Sequence, residues 1–329
     1  MLGYVENGLF TEVLDCFQQM HQEGVYPDTV SFLCILNMCS HTKDMDRGNR
    51  LHTELMKNGL DQDPCLGNAL IDMYAKAGFV ADAEKVFAKL QGRDIVSWNS
   101  LITGYTEHGY CEEAIKCLKH MKIESVSPNF VTFSCTLRAC GRIRSVETGQ
   151  YIHMELVKQG LDRDPLVNNS LIDMYAKFGW ISEAQEIFDQ LSDRNLVSWT
   201  SLIAGYANNG LCDHALICFQ RMQSEGILAD IASWTAIISG YVEHGETITA
   251  INLCARVLEQ GLLPNSAMFN SILKACGNIG AVDLGKRIDV MVHSYSLEAD
   301  DFNFIPALIN MYGKCGNMFD CERIFETIA

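Results

Sequence analysis

The hexapeptide IDMYAK occupies residues 71–76 and recurs unchanged at 172–177; INMYGK at 309–314 differs from it at two positions. The likeness is not confined to six residues. Residues 67–105 align without a gap to residues 168–206, at an offset of 101. Self-similarity on this scale restricts the fold to one in which a unit stacks on copies of itself. An offset of 101 residues is too long for one helical repeat, so the period must subdivide.

Three kinds of unit emerge. A 35-residue unit opens at Asp94, Asn195 and Asp230 with DIVSWN, NLVSWT and DIASWT. A second kind opens at Asp28, Asn129 and Asn265, and a third, 31 residues long, at Asp63, Asp164 and near Asp301. Units of 35, 31 and 35 residues in succession make the 101-residue superperiod, and an additional 35-residue unit at 230–264 breaks its third cycle. Each unit reads as two helices. In 164–194 the first runs roughly from Val167 to Lys177, with Leu171, Ile172, Tyr175 and Ala176 on one side. Gly179 marks its stop. The second runs roughly from Ile181 to Leu191 and turns Ala184, Ile187, Phe188 and Leu191 inward. Two helices of about eleven residues cannot bury their apolar faces alone, so the units are expected to share a core by stacking. Trp98, Trp199 and Trp234 share one register with Phe32, Phe133 and Phe269, and read as core aromatics rather than a base-stacking platform.

Composition excludes several classes. With 48% apolar and 20% charged residues and no low-complexity tract, the chain is of a folding type. No apolar run approaches the roughly 18 residues of a membrane span, so no membrane partner is expected. The opening MLGYVENGLF has neither a basic region nor an Arg/Ser-rich stretch, and reads as neither signal nor transit peptide. GYVENG at 3–8 corresponds to the end of a first helix, and the final unit stops at Ala329 before its closing turn; both ends read as cut. Fourteen cysteines contain no C-x-x-C pair. Cys39, Cys140 and Cys276 share one register, which reads as a small core residue reused in a reducing compartment rather than as a disulfide or metal framework.

The helical hairpin with its V-S-W-N/T-S/A-L/I-I opening and its closings GVYPD, SVSPN, GILAD and GLLPN resembles the pentatricopeptide repeat; Ala229 departs from the closing proline. Alternation of 35-residue units with a 31-residue N-A-L-I-D-M-Y-A-K unit is similar to the PLS subclass, with no C-terminal deaminase-like domain visible within residues 1–329. The resemblance covers essentially the whole chain. It implies an all-α, right-handed superhelical solenoid, a single array over 1–329. Its units are 1–27 (partial P), 28–62 (L), 63–93 (S), 94–128 (P), 129–163 (L), 164–194 (S), 195–229 (P), 230–264 (P), 265–300 (L) and 301–329 (partial S).

The resemblance further implies a single-stranded RNA partner, one base per repeat. Each base is read by the sixth residue of a unit together with the opening residue of the next. The implied pairs are Asn68 with Asp94, Asn99 with Asn129, Ser134 with Asp164, Asn169 with Asn195, Thr200 with Asp230, Thr235 with Asn265, and Asn270 with Asp301. Leu33 and Pro306 stand at the sixth position and offer no side-chain hydrogen bond. An ionised Asp only accepts, which suits the ring N–H of guanine or uracil; Asn carries a donor and suits adenine or cytosine. In the family Thr or Ser at the sixth position goes with purines and Asn with pyrimidines. The expected target is 5′-U-Y-(G)-Y-G-A-(U)-3′, with Y a pyrimidine and the bracketed bases set by L-type units. Val96, Val131 and Val197, third in their units, would pack on base faces; Cys65, Ala232, Ala267 and Asn303 depart from that pattern. Asp or Asn at an opening also caps a helix or makes a turn, and that plainer role alone could account for the opening residues. It does not account for Asn, Thr or Ser at the sixth position of an apolar helix start.

The net charge of −16 has the wrong sign for a phosphate binder. A sparse basic ladder on first helices, Lys76, Lys177 and Lys314 in one register and Arg138 and Lys274 in another, is the expected phosphate contact. Acidic Glu84, Glu183 and Glu186 fall on second helices and are expected to face outward, whereas Asp72, Glu107, Asp173 and Glu243 dilute the ladder. The salt dependence should be shallow, about two to four phosphates at roughly 0.7 log unit each.

No catalytic or metal site is read, and no cofactor is expected. His52-Thr53-Glu54 and His153-Met154-Glu155 match the H-x-E half of a zinc deaminase site, but no P-C-x-x-C follows either, and both stand at the same place in their units. The function implied is an RNA-binding adaptor in organelle RNA editing, processing or stability, in mitochondrion or chloroplast by family resemblance alone, with any editing or processing chemistry coming from a domain beyond Ala329 or from editing or processing proteins in trans. The competing reading is a tetratricopeptide-like protein-interaction scaffold for a basic protein partner, which the acidic balance favours.

Overall fold

A computed structural model describes residues 1–295 and 305–326. Among the described residues every regular element is a helix, and the helices come in hairpins. The pairs are α1 (Leu2–Glu6) and α2 (Phe10–Gln22), α3 (Thr29–Thr42) and α4 (Met45–Lys57), α5 (Pro64–Lys76) and α6 (Val80–Lys89), α7 (Ile95–Glu107) and α8 (Cys111–Ile123), α9 (Phe130–Ile143) and α10 (Val146–Gln159). There follow α11 (Pro165–Phe178) and α12 (Ile181–Asp189), α13 (Leu196–Asn208) and α14 (Cys212–Ser224), α15 (Ile231–Glu243) and α16 (Thr247–Glu259), α17 (Ser266–Ile279) and α18 (Val282–Tyr295), α19 (Ile305–Lys314) and α20 (Met318–Glu326). One hairpin falls in each of the ten repeat units. The helices of 164–194 start and stop within two residues of the bounds read from sequence.

The chain forms two compact units, Met1–Met174 and Tyr175–Ala329, divided inside α11. In the first, α3, α5, α7 and α9 pack side by side in chain order, each also against the second helix of its own hairpin. In the second, α13, α15, α17 and α19 do the same. Each unit is therefore a stack of helical hairpins.

The recurrence of IDMYAK has a packing reason at almost every letter. Ile71 and Ile172 are fully buried. Met73 lies over Gly48 of the preceding hairpin, where a methyl would meet its sulfur at 2.6 Å. Ala75 faces Gly104, where a methyl would come within 2.5 Å of the alanine Cβ; Ala176 and Gly205 repeat the contact at 2.8 Å. Small residues on both sides let successive first helices approach closely. The tyrosine is a latch. Tyr74 donates to Asn49 Oδ1 at 2.9 Å, Tyr105 to Glu84 Oε1 at 2.6 Å, Tyr206 to Gln185 Oε1 at 2.8 Å, and Tyr312 to Asp289 Oδ2 at 2.8 Å. In each case a first helix is tied to the second helix of the hairpin before it. Glu84, expected simply to face outward, is exposed but carries this bond. The glycines after the first helix, such as Gly179 at φ +86° and Gly210 at φ +78°, adopt the left-handed conformation that lets the chain reverse.

Trp98, Trp199, Trp234, Phe32, Phe133 and Phe269 are all buried, as core aromatics should be. Phe188 meets Trp199 edge-on at 4.6 Å, and Phe219 meets Trp234 at 4.5 Å. The three indole N–H groups lie buried without a hydrogen-bond partner, so the ring and not its polar edge holds the register. Cys39, Cys140 and Cys276 are fully buried. Burial pushes their thiols up to about 11, 12 and 11 respectively, which makes them inert at neutral pH. The H-x-E histidines are half-buried at the edge of the same interior. His52 Nδ1 shares a hydrogen bond with Tyr74 Oη at 3.0 Å, and burial lowers the pKa of both His52 and His153.

Candidate nucleic-acid interface

The start of each first helix holds the candidate readers. In α3, α5, α7, α9, α11, α13, α15 and α17 the opening residue is a helix N-cap whose side-chain oxygen accepts the otherwise unpaired N–H groups of the first turn. Asp28 Oδ1 accepts from Ser31 N at 2.8 Å, and Asp63 Oδ1 from Cys65 and Leu66 N, both at 3.0 Å. Asp94 Oδ1 accepts from Val96 and Ser97 N, Asn129 Oδ1 from Thr132 N, and Asp164 Oδ1 from Leu166 and Val167 N. Asn195, Asp230 and Asn265 cap Ser198, Ser233 and Met268 N, each at 2.9 Å. The capping role weighed against base reading is thus real. It leaves each side chain with one uncommitted end. Capping demands an acceptor, so an asparagine turns Oδ1 to its helix and keeps Nδ2 as a donor, whereas an aspartate keeps Oδ2 as an acceptor. The bonds on Asp28 and Asp94 also act on their titration. For Asp28 the Ser31 hydroxyl, then its N–H, lowers the pKa; for Asp94 burial raises it, but the bonds from Ser97, Asn68 and Val96 bring it below the ordinary 3.8.

The pairing with the sixth position of the preceding repeat is direct at two sites. Asn68 Nδ2 donates to Asp94 Oδ1 at 3.2 Å, and Asn99 Nδ2 to Asn129 Oδ1 at 3.1 Å. Thr235 Oγ1 lies 3.3 Å from Asn265 Oδ1. Thr200 reaches Asp230 through an intermediary: its hydroxyl is 2.8 Å from Ser233 Oγ, which donates to Asp230 Oδ1 at 2.6 Å. Ser134 is placed differently. It is 5% exposed and bonds to Ser170 Oγ at 2.6 Å, while Asp164 caps α11. Asn169 and Asn270, like Asn68, keep a buried Oδ1 without a hydrogen-bond partner. Asp301, the intended companion of Asn270, lies outside the described residues, as does Asn303.

At the third position Val96 and Val197 are exposed, by 51% and 57%, and Val131 is half-buried. Cys65, Ala232 and Ala267 are exposed there with less apolar surface to offer. Two further members of this row were missed in sequence, Val30 and Leu166, 51% and 45% exposed. Counting two residues on from Asp28 and Asp164 would have found them.

The basic ladder is uneven. Lys76 Nζ forms an ion pair with Asp72 at 2.8 Å, four residues back on α5, and Asp72 also accepts from Ser40 Oγ at 3.0 Å. Lys314 donates to Asn278 Oδ1 at 3.1 Å. Arg138 is half-buried with Nε lacking a hydrogen-bond partner, Lys177 is half-buried on α11, and Lys274 is exposed. Arg142, one turn after Arg138, donates to the Thr106 carbonyl of the preceding first helix.

Comparison with known proteins decides the family. Profiles of the PPR repeat match residues 93–142 and, singly, 1–25, 68–95, 169–196, 197–227 and 307–328; a pentatricopeptide repeat domain profile matches 217–279. Together they cover well over half of the chain. The chain belongs to the pentatricopeptide repeat family. Similar relatives include pentatricopeptide repeat-containing protein At2g03380, mitochondrial, of Arabidopsis thaliana, 29% identical over 331 residues that cover 99% of this chain and 42% of the relative. Pentatricopeptide repeat-containing protein At1g15510, chloroplastic, from the same plant, is 30% identical over 332 residues, covering 99% and 34%. The chain thus spans well under half the length of these curated relatives. Among solved structures, the pentatricopeptide repeat protein PPR10 in complex with an 18-nt psaJ RNA element superposes with a TM-score of 0.53 at 17% identity, over 96% of this chain and 52% of PPR10. That likeness shows the fold, the helical-repeat solenoid of pentatricopeptide repeat proteins.

Proposed function

We propose that this chain is a sequence-specific single-stranded RNA-binding adaptor that reads one base per repeat. The observation that carries the reading is the side-chain contact between the sixth residue of one repeat and the opening residue of the next, direct for Asn68–Asp94 and Asn99–Asn129. A peptide-binding scaffold has no need for two polar side chains to meet across a repeat boundary at an otherwise apolar helix start. Capping already uses one end of each opening side chain, so the other end presents a single kind of atom, and a single kind of atom is what base selection requires. The repeat register runs through the sequence as one array over 1–329, in the P, L and S order of the PLS subclass, and the proposed target is 5′-U-Y-(G)-Y-G-A-(U)-3′.

The RNA in the PPR10 complex and the organelle names of the Arabidopsis relatives support an RNA partner and a site of action in mitochondrion or chloroplast. Binding then marks or shields a transcript, and any chemistry of editing or processing comes from outside residues 1–329, from a further domain or from a partner in trans. Selection from a random single-stranded RNA library tests this. Wild-type chain should enrich Y-G-A, and Thr200→Asn should move the G toward U at that position alone. Absence of enrichment at low salt would leave the protein-scaffold reading in its place.

A further inference from the structure

The V-S-W opening supplies a residue that neither the aromatic core nor the reading pair uses: the hydroxyl at the fourth position. Ser31, Ser97, Thr132, Ser198 and Ser233 carry it, none more than 8% exposed. A hydroxyl has one proton to give, so the group that receives it determines what the neighbouring polar atoms have left.

Thr132 Oγ1 lies 2.6 Å from Asn99 Oδ1 and 3.1 Å from Asn129 Oδ1. The shorter contact takes the proton. Asn99 is thereby locked with its carbonyl on Thr132 and its Nδ2 toward Asn129, and cannot flip its amide. Asn129 Oδ1 already accepts from Thr132 N and Asn99 Nδ2, so its own Nδ2 is what remains for a base. Ser233 works the other way. Its proton goes to the Asp230 carboxylate at 2.6 Å, a charge-assisted bond, and its oxygen must then accept from Thr200 at 2.8 Å. Thr200 consequently meets the base as an acceptor. A capping box explains why Thr132 Oγ1 also receives the Asn129 N–H at 3.2 Å. It does not explain contacts of 2.6 and 2.8 Å to side chains of the preceding repeat.

The geometry points to the fourth-position hydroxyl as the third member of the reading unit: Thr132 and Ser233 are positioning residues that set which atoms of Asn99–Asn129 and Thr200–Asp230 face the base. The inference rests on the base-reading function proposed above.

The test uses short single-stranded RNAs that carry the proposed target with each of the four bases at its second or fifth position, bound to the full chain. Ser233→Ala should lower the preference for G at the fifth base by about fivefold. Discrimination at the sixth base, and affinity for RNA already mismatched at the fifth, should stay as in wild type. Ser233→Thr keeps a hydroxyl and should retain the preference. Thr132→Val, which keeps side-chain volume, should flatten the choice at the second base in the same way. Unchanged preference in Ser233→Ala and Thr132→Val overturns the inference, and so does a uniform weakening at all bases, which marks a capping role only. No preference at the fifth base in the wild-type chain instead overturns base reading itself, and the hydroxyl's role with it.

Discussion

Thr200 and Thr235 are the same residue at the same position of consecutive 35-residue repeats, yet they spend their hydroxyls differently. Thr200 meets Ser233 Oγ and, through it, the capping aspartate. Thr235 bonds back to the Ile231 carbonyl at 2.6 Å within its own helix and only approaches Asn265, at 3.3 Å. The difference originates in the repeat that follows. Its fourth residue is Ser233 in one case and fully buried Met268 in the other. Two sites with one reading residue can therefore differ in how firmly they hold it, and the fourth residue of the neighbouring unit sets that firmness.

Both junctions are expected to depend first on the aromatic register beneath them. Trp234→Ala should cost about 3–5 kcal/mol in urea or thermal unfolding, as large-to-small changes at fully buried aromatics do. Trp234→Phe, the residue other repeats use there, should cost far less, since the indole N–H makes no hydrogen bond. Equal losses for the two would show that the polar edge holds the junction after all.

The capping residues give the next largest effect and the sharpest contrast. Asp230→Asn should turn the fifth base from G toward A, and Asn265→Asp the sixth from A toward G, each by roughly tenfold, the worth of a hydrogen bond to a charged group. Aspartate and asparagine cap about equally well, so the melting temperature should hardly move. A fall in stability without a change of base would reduce the opening residues to caps.

The smallest effect is expected at the proposed phosphate contacts, which lie apart from the reading pairs. Arg138→Gln and Lys274→Gln should each lower the slope of log affinity against log salt by about 0.7 without altering base preference. Lys76→Gln should lower it less, because Asp72 at 2.8 Å already neutralises that lysine. A full-sized change for Lys76 would show that the ion pair opens to admit phosphate.

Much of this was legible in the chain itself. The 101-residue offset, the hairpin in each unit, the aromatic register and the buried cysteine register all follow from period and residue type. So did the caps, since Asp or Asn before an apolar helix start has one common structural use. The Lys76–Asp72 pair is an i,i+4 spacing and could have been read from sequence. The tyrosine latch left a signal too, for tyrosine stands twelfth when counted from Asp63, Asp94, Asn195 and Asp301. Its partners left none: Asn49, Glu84, Gln185 and Asp289 share only the ability to accept.

The sequence by itself determined that the chain is built of helical hairpins and which residues cap eight of the first helices. A repeat of apolar spacing has only one economical way to bury itself, and that way is local and periodic. Only the tertiary structure decided how the polar residues at each boundary share their protons. Ser134 turned to Ser170, Thr200 to Ser233, and Thr235 to its own backbone. Hydrogen bonds are directional and short, and their partners come from different repeats. A shift of an ångström between neighbouring helices reassigns them while leaving the apolar pattern unchanged.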